Sequence, residues 1–307
     1  MRIASLVPAG TEIAWALGLD RDLVAVTHDC DFPPRVRELP KLTSSTIPAD
    51  STSSEIDRLV RSAGERGEST FHVDAQALRA ARPDVILGQT ICRVCAVTLD
   101  QLPSDLGSAP RTIPLSGESM EGVFTDIHRV ANGLGVTSDG RRVVEALRAR
   151  LAAVADRVAG RPRPRVACIE WLDPLFKGGH WVPEQVALAG GVDVLGAPGD
   201  RGLVVGWDEV IAARPDVLVL MPCGFDTRRA VEESGVVTDR IGFSDLPAAQ
   251  SGHVFATNGS AYFSRPGPRL VDGVEILAAL LHPDVFPPPA PEAAVRVPVG
   301  AASEGPA

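Results

Sequence analysis

The chain has no apolar run approaching the about 18 residues that a membrane-crossing helix needs, so membrane insertion is not expected. It also lacks an excess of basic charge. A net charge of −9 at pH 7, with acidic residues scattered through both halves, removes the electrostatic footprint of a nucleic-acid binder. Cysteine is too sparse for a disulfide framework: the 5 thiols (Cys30, Cys92, Cys95, Cys168, Cys223) of 307 residues are expected to be free or ligating, as in a reducing compartment. No nucleophile elbow, P-loop or dinucleotide fingerprint occurs, and Leu188 to Gly191 reads as a helix stop. Arg2 to Val7 reads as a strand directly behind Met1, which leaves no export signal and points to the cytoplasm.

With 45% apolar and 22% charged residues, the chain can build cores of ordinary size. The stretch Ala80-Ala81-Arg82-Pro83-Asp84-Val85 returns unchanged as Ala212-Ala213-Arg214-Pro215-Asp216-Val217, and in both copies an apolar strand and then a cysteine follow. The chain is therefore two related halves. Strands alternate with helical patterns in each half, which predicts an α/β fold of two similar lobes with parallel sheets. The expected boundaries are an N-terminal lobe over 1–135, a linking helix over 136–160, a C-terminal lobe over 161–286 and a disordered tail rich in Pro and Ala over 287–307. Within this plan Thr11 reads as an N-cap after a turn at Pro8, and residues 43–54 read as loop.

In open α/β sheets ligands sit beyond the carboxyl ends of the strands, and the unusual chemistry of this chain falls in those turns. His28-x-Cys30 and Cys92-x-x-Cys95 offer imidazole and thiolate, which zinc, iron or an iron–sulfur cluster would accept, with Cys223 or His180 as a further ligand. Ordinary buried thiols, or a redox role for Cys92 and Cys95, are the alternatives. Cys168 lies inside a strand and reads as core. Glu170, Trp171, His180, Trp181 and Glu184 crowd one strand end; large rings there suit a flat or bulky ligand, although Trp181 could equally wall the core. Tyr262 and Arg265 stand in a Pro/Gly frame that would hold them toward an entering anion or carboxamide, whereas Arg269 reads as structural. His72, His128, His253 and His282 read as solvated or capping residues.

Ile3-Ala4-Ser5-Leu6-Val7-Pro8-Ala9-Gly10-Thr11-Glu12, the run Thr27 to Pro34, the two Arg-Pro-Asp strands and the run Ser264 to Arg269 resemble the cobalamin-binding branch of the class III periplasmic-binding-protein superfamily, the substrate-binding proteins of ABC transporters. The similarity spans nearly residues 2–283. It implies two α/β lobes bridged by a long helix, with a corrinoid or iron–siderophore in the groove. By the same resemblance the ligand-facing positions would be Pro8, Ala9, Gly10, Thr11, Phe32, Trp171, Trp181, Tyr262, Phe263 and Arg265. Such proteins usually present a glutamate on each lobe to permease arginines; here Gln76 and Asp208 stand at the expected positions. A lost docking charge typically costs on the order of 2 kcal/mol or more, so docking to an ABC permease is not expected, and the histidine and cysteine loops resemble a signal-less cytoplasmic subgroup of the superfamily.

Two functions follow as expectations. One is a cleft-type binding protein for a corrinoid (cobalamin or cobinamide) or another metal chelate, with His28 able to ligate its metal. The other is a cytoplasmic metalloprotein or metalloenzyme in which His28, Cys30, Cys92 and Cys95 hold a metal and Glu170 or Glu184 transfers protons.

Overall fold

The structure, a computed structural model, describes residues 1–90, 97–103 and 110–298. The repeated hexapeptide builds the same device twice. In the first copy Arg82 ends a helix in the left-handed region (φ 41°). Asp84 then turns back: its carboxylate accepts the Arg2 backbone N–H at 2.8 Å, and its own N–H donates to the Arg2 carbonyl at 2.8 Å. In the second copy Arg214 has φ 42°, and Asp216 makes the same exchange with Arg165 at 2.9 and 2.8 Å. The guanidinium groups of Arg2 and Arg165 each donate to the helix-end carbonyl, of Ala81 and Ala213 respectively, at 2.7 Å. Each copy thereby fixes where one strand starts beside the end of one helix.

Two compact units result. Unit 1 is Met1–Ser51, Glu55–Arg148 and Arg265–Arg269; unit 2 is Thr52–Ser54, Ala149–Ser264 and the chain from Leu270 onward. Unit 1 contains β1 (Ile3–Ser5), α1 (Pro8–Ala16), β2 (Leu23–Val26), β3 (Thr43–Ser45), most of α2 (Ser53–Glu65), β4 (Phe71–Val73), α3 (Ala75–Ala81), β5 (Val85–Gln89), β6 (Arg111–Leu115), α4 (Met120–Leu134) and the first part of α5 (Thr137–Val158). Its main sheet has the order β2-β1-β5-β6 with every pair parallel; Ile86 lies opposite Ala4 on one side and Thr112 on the other. The core under it includes Leu6, Leu42, Leu78 and Ile86, all essentially inaccessible.

Unit 2 holds the rest of α5, then β7 (Arg165–Leu172), β8 (Leu175–Lys177), α6 (Val182–Leu188), β9 (Val192–Asp193), α7 (Trp207–Ala213), β10 (Val217–Leu220), α8 (Thr227–Glu232), α9 (Gly235–Thr238), α10 (Pro247–Gln250), β11 (Val254–Thr257), α11 (Gly259–Tyr262), α12 (Leu270–Leu281) and β12 (Ala294–Arg296). The sheet runs β12-β11-β10-β7-β8, with β9 also on β7. Strands β9, β7, β10 and β11 are mutually parallel, so β9-β7-β10-β11 repeats the order β2-β1-β5-β6. Ile169, Leu172, Val210, Leu218 and Phe243 fill its core.

The α/β class and the paired parallel sheets are as the alternation predicts. The predicted linker over 136–160 is α5, and the unit boundary falls inside it, after Arg148. Thr11 is not an N-cap. Helix α1 starts at Pro8 with Val7 as its cap, because proline has no N–H to lose at the first helical position and its fixed φ suits the first turn. Residues 43–45 are not loop but pair with β4, Ser44 opposite His72. Part of the expected tail is a strand: β12 adds to β11 antiparallel, Ala256 opposite Val295, because the edge of β11 supplies backbone partners that composition cannot reveal. His282 is not solvated: it stands at the C-terminal end of α12, its N–H donating to the Ala278 carbonyl at 2.9 Å, and it is 5% exposed with Nε2 against the backbone at Gly190. Among the described residues no helix is long and apolar enough to cross a membrane.

Candidate functional site

In unit 1 the strand ends carry an ion cluster. Glu12, on the second turn of α1, is 1% exposed, and its Oε1 lies 3.3 Å from Arg265 and 3.4 Å from Arg269. Arg265 also donates to Asp31 at 2.5 Å and to the Asp29 carbonyl at 3.0 Å. Burial pushes Glu12 up to about 7, with Arg265 and Arg269 pulling the other way. Burial also raises Asp31, but the hydrogen bond and charge of Arg265 outweigh it and hold that carboxyl below the usual range. The difference is one of exposure and distance, since Asp31 is 45% exposed and takes the shorter bond. Arg265 is therefore spent inside the protein rather than held toward a ligand. Its sequence neighbour Gly267 lets the segment lie against α1, where a Cβ would come 3.3 Å from Glu12 Oε2.

Ala9, Gly10 and Thr11 are buried, and Pro8 is half-buried. A Cβ at Gly10 would sit 2.9 Å from Ser5 Oγ, so Gly10 lets α1 pack closely onto the sheet. Phe32 is half-buried, edge-on to Trp15 at 4.9 Å, with Arg269 4.5 Å over its ring.

Among the described residues, the predicted metal ligands His28 and Cys30 are each engaged with other groups. Cys30 is buried and shares a hydrogen bond with Thr11 Oγ1 at 3.0 Å; burial pushes its thiol up to about 12, against that bond, so it is not a ready thiolate. His28 is engaged through Nδ1 with Thr43 Oγ1 at 2.7 Å and through Nε2 with Asp29 at 3.5 Å. Cys92 and Cys95 lie outside the described residues. Cys223 is half-buried in unit 2. Among the described residues no three His, Cys, Asp or Glu groups could hold a metal ion together. Cys168 is core, as expected, with no exposure.

In unit 2, β7 extends past the level where β10 ends, since Leu220 lies opposite Ile169. Glu170 is the next residue. Its Oε2 accepts the Gly179 N–H at 3.1 Å, and burial pushes the carboxyl up to about 7 against that bond. Gly202 packs on the same carboxyl so closely that a Cβ there would overlap Oε1 at 1.6 Å. Trp171 is half-buried; its indole N–H lies 3.2 Å from the carbonyls of Ser53 and Asp173, and its ring is edge-on to Phe225 at 5.5 Å. Trp181 is 6% exposed and its indole donates to the Phe263 carbonyl at 2.7 Å. Of its two readings, the core wall holds. Phe263 is buried as well, Tyr262 half-buried, and Glu184 half-buried in the first turn of α6.

His180 comes after β8 and the pair Gly178-Gly179 and holds a left-handed backbone (φ 53°), its ring stacked on Trp181 at 5.5 Å. Beside it runs the segment 201–205, where Leu203 and Val204 are each 56% exposed. Sequence reasoning did not single these two out; two adjacent aliphatics after Gly202 were the only signal. Gln185 was also missed. Its amide donates to the carbonyls of Tyr262 and Leu270 at 3.2 and 2.8 Å and so ties α6 to α11 and α12. Gln76 and Asp208 are exposed and occupy the same place, the second residue of α3 and of α7.

Two related α/β units with polar and aromatic groups at strand ends define a solute-binding architecture, and the comparisons agree. Residues 3–261 match the model of the periplasmic binding protein family, and the chain belongs to that family. It is 22% identical to an uncharacterized ABC transporter substrate-binding lipoprotein, YvrC, of Bacillus subtilis, over 93% of this chain and 81% of that one. It is 24% identical to the vitamin B12-binding protein of Vibrio cholerae over 91% and 88% of the two chains. In fold it is similar to the periplasmic heme-binding protein RhuT from Roseiflexus sp. RS-1 (TM-score 0.69, 22% identity, 92% and 98% covered). It is also similar to the periplasmic vitamin B12 binding protein BtuF of Vibrio cholerae (TM-score 0.59, 22% identity, 91% and 96% covered).

Proposed function

We propose that this chain is a substrate-binding protein for a planar metal macrocycle, a corrinoid such as cobalamin or cobinamide in the first place. The observation that carries this reading is the strand-end surface of unit 2. Half-buried Trp171 and the exposed aliphatics Leu203 and Val204 offer apolar area, while Glu170 offers a carboxyl that burial keeps protonated up to about pH 7 and so able to donate a hydrogen bond. A corrin ring with amide side chains presents matching chemistry, a large apolar face with carbonyl acceptors at its rim. Family membership supports the binding role, and relatives named for vitamin B12, matched over nearly nine-tenths of this chain, support the corrinoid. Structural neighbours named for heme share only the fold, but heme is the natural competing macrocycle to test. The metalloenzyme alternative gains nothing from a protonated, buried Cys30.

Titration of the purified protein with cobinamide, cyanocobalamin and hemin, followed by calorimetry and absorption, tests the proposal. A corrinoid dissociation constant of about 1 μM or below, near −8 kcal/mol, is expected. Heat and spectral change with hemin alone would redirect the reading to heme, and none with any of the three would end it.

A further inference from the structure

We infer that His180 is an axial ligand to the metal of the bound macrocycle, with Leu203 and Val204 lying against the ring; the inference rests on the function proposed above. Its starting point is the backbone. Gly178-Gly179-His180 passes through a place so tight that a Cβ at Gly179 would come 2.0 Å from the Gly202 nitrogen, and His180 itself sits at φ 53°. Glycine takes that conformation without cost; histidine does not. Two of three residues at this corner are glycine, and the third, where glycine would also be relaxed, is an imidazole. Strain of this kind persists where the surrounding structure imposes it, and here His180 N–H donates to the Asp200 carbonyl at 2.6 Å.

The ring is held as firmly as the backbone. It stacks on Trp181 with an interplanar angle of 29°, and Trp181 is itself fixed by burial and by its bond to the Phe263 carbonyl. Yet among the described residues neither ring nitrogen of His180 has a hydrogen-bond or ion-pair partner. By contrast His28 is engaged through both nitrogens. A rigid, half-buried imidazole with an unspent lone pair is what a metal with an open axial position takes up. The second observation is independent of the ring. Segment 201–205 is anchored along β8, with Lys177 N–H donating to the Leu203 carbonyl at 3.0 Å and Phe176 bridged to Val204, and it shows two aliphatic side chains to solvent next to the glycine corner. Exposed aliphatic side chains on the segment that runs beside an imidazole suit the two parts of a metal macrocycle, its apolar ring and its metal.

Binding forms one coordinate bond from an imidazole nitrogen to the metal and displaces a water from it; no electron or proton transfer is required. The probe is cob(II)inamide, which carries no nucleotide base of its own. Electron paramagnetic resonance of the wild-type complex should show nitrogen superhyperfine splitting on the cobalt lines. His180→Gly removes the ring and relaxes φ, so the variant should melt at or above the wild-type temperature, bind cobinamide about ten-fold more weakly and show no nitrogen splitting. The double variant Leu203→Ser, Val204→Ser should bind about ten-fold more weakly and keep the splitting. Uptake without splitting in the wild type, or splitting retained in His180→Gly, overturns this assignment and leaves the proposed function standing. No cobinamide uptake by the wild type overturns both.

Discussion

Two buried carboxyls dominate at the scale of single residues. Glu12 and Glu170 are each raised by burial from the ordinary 4.5 to about 7. Below about pH 4.5 both groups are protonated whether the chain is folded or not, and their contribution to stability is fully present. Between that value and about 7 the folded protein holds protons that the unfolded chain releases, so stability falls as pH rises, and the contribution is gone above about 7. Each group accounts for at most about 3 kcal/mol across the window. Asp31, held low by Arg265, acts in the opposite sense at more acidic pH. Urea unfolding from about pH 5 to about pH 8 should therefore show declining stability in the wild type, a shallower decline in Glu12→Gln or Glu170→Gln, and little decline in the double variant. An unchanged slope in Glu12→Gln would mean that its carboxyl is ionised throughout. The residue scale is also where sequence reading was weakest. Arg265 and Trp181 carry polar tips that suit either a ligand or a carbonyl and carboxylate inside the protein, and only the fold, which brings Glu12, Asp31 and the Phe263 carbonyl to them, decides between the two.

Elements were more legible where their signal is local. Helix α5 follows from uninterrupted apolar spacing, and it spans Thr137–Val158 within a residue or two of the pattern. Helix α4, absent from the expectations, had an equally complete signal: Val123, Ile127, Val130 and Leu134 at three- and four-residue steps, a Ser119 side chain capping its start and Gly135 left-handed at its end. Strand β12 had none, because Ala294, Val295 and Arg296 follow a proline run and gain their structure from the edge of β11. That dependence is testable. Truncation after Phe286 removes the strand pairing, the bond from the Asn258 N–H to the Ala293 carbonyl at 2.9 Å and that from Thr227 Oγ1 to the Glu292 carbonyl at 2.7 Å, together with buried Val297. The expected cost is about 3 kcal/mol, with lower solubility from the bared strand edge. A denaturation midpoint equal to that of the full chain would restore the reading of this segment as a tail.

For the molecule as a whole the governing fact is repetition. Six identical residues suggested two related halves, and the strand orders β2-β1-β5-β6 and β9-β7-β10-β11 carry the relation through both sheets. What the hexapeptide preserves is a physical function: a left-handed arginine stops a helix, proline prevents its restart, and aspartate clamps the first residue of the neighbouring strand by a reciprocal pair of hydrogen bonds. If that function is why the sequence recurs, its loss should cost the same in both places. Asp84→Ala and Asp216→Ala each remove one bond to a backbone N–H, an effect of about 1 kcal/mol, and leave the other, backbone-to-backbone bond in place. The two clamps share no hydrogen-bond partner, so the double variant should lose about the sum. Chemical denaturation of the three variants measures this. Equal single effects identify the hexapeptide as one structural device used twice, whereas a silent Asp216→Ala beside a costly Asp84→Ala would make the second copy a remnant, its strand start then being held by the donation of Arg165 to the Ala213 carbonyl.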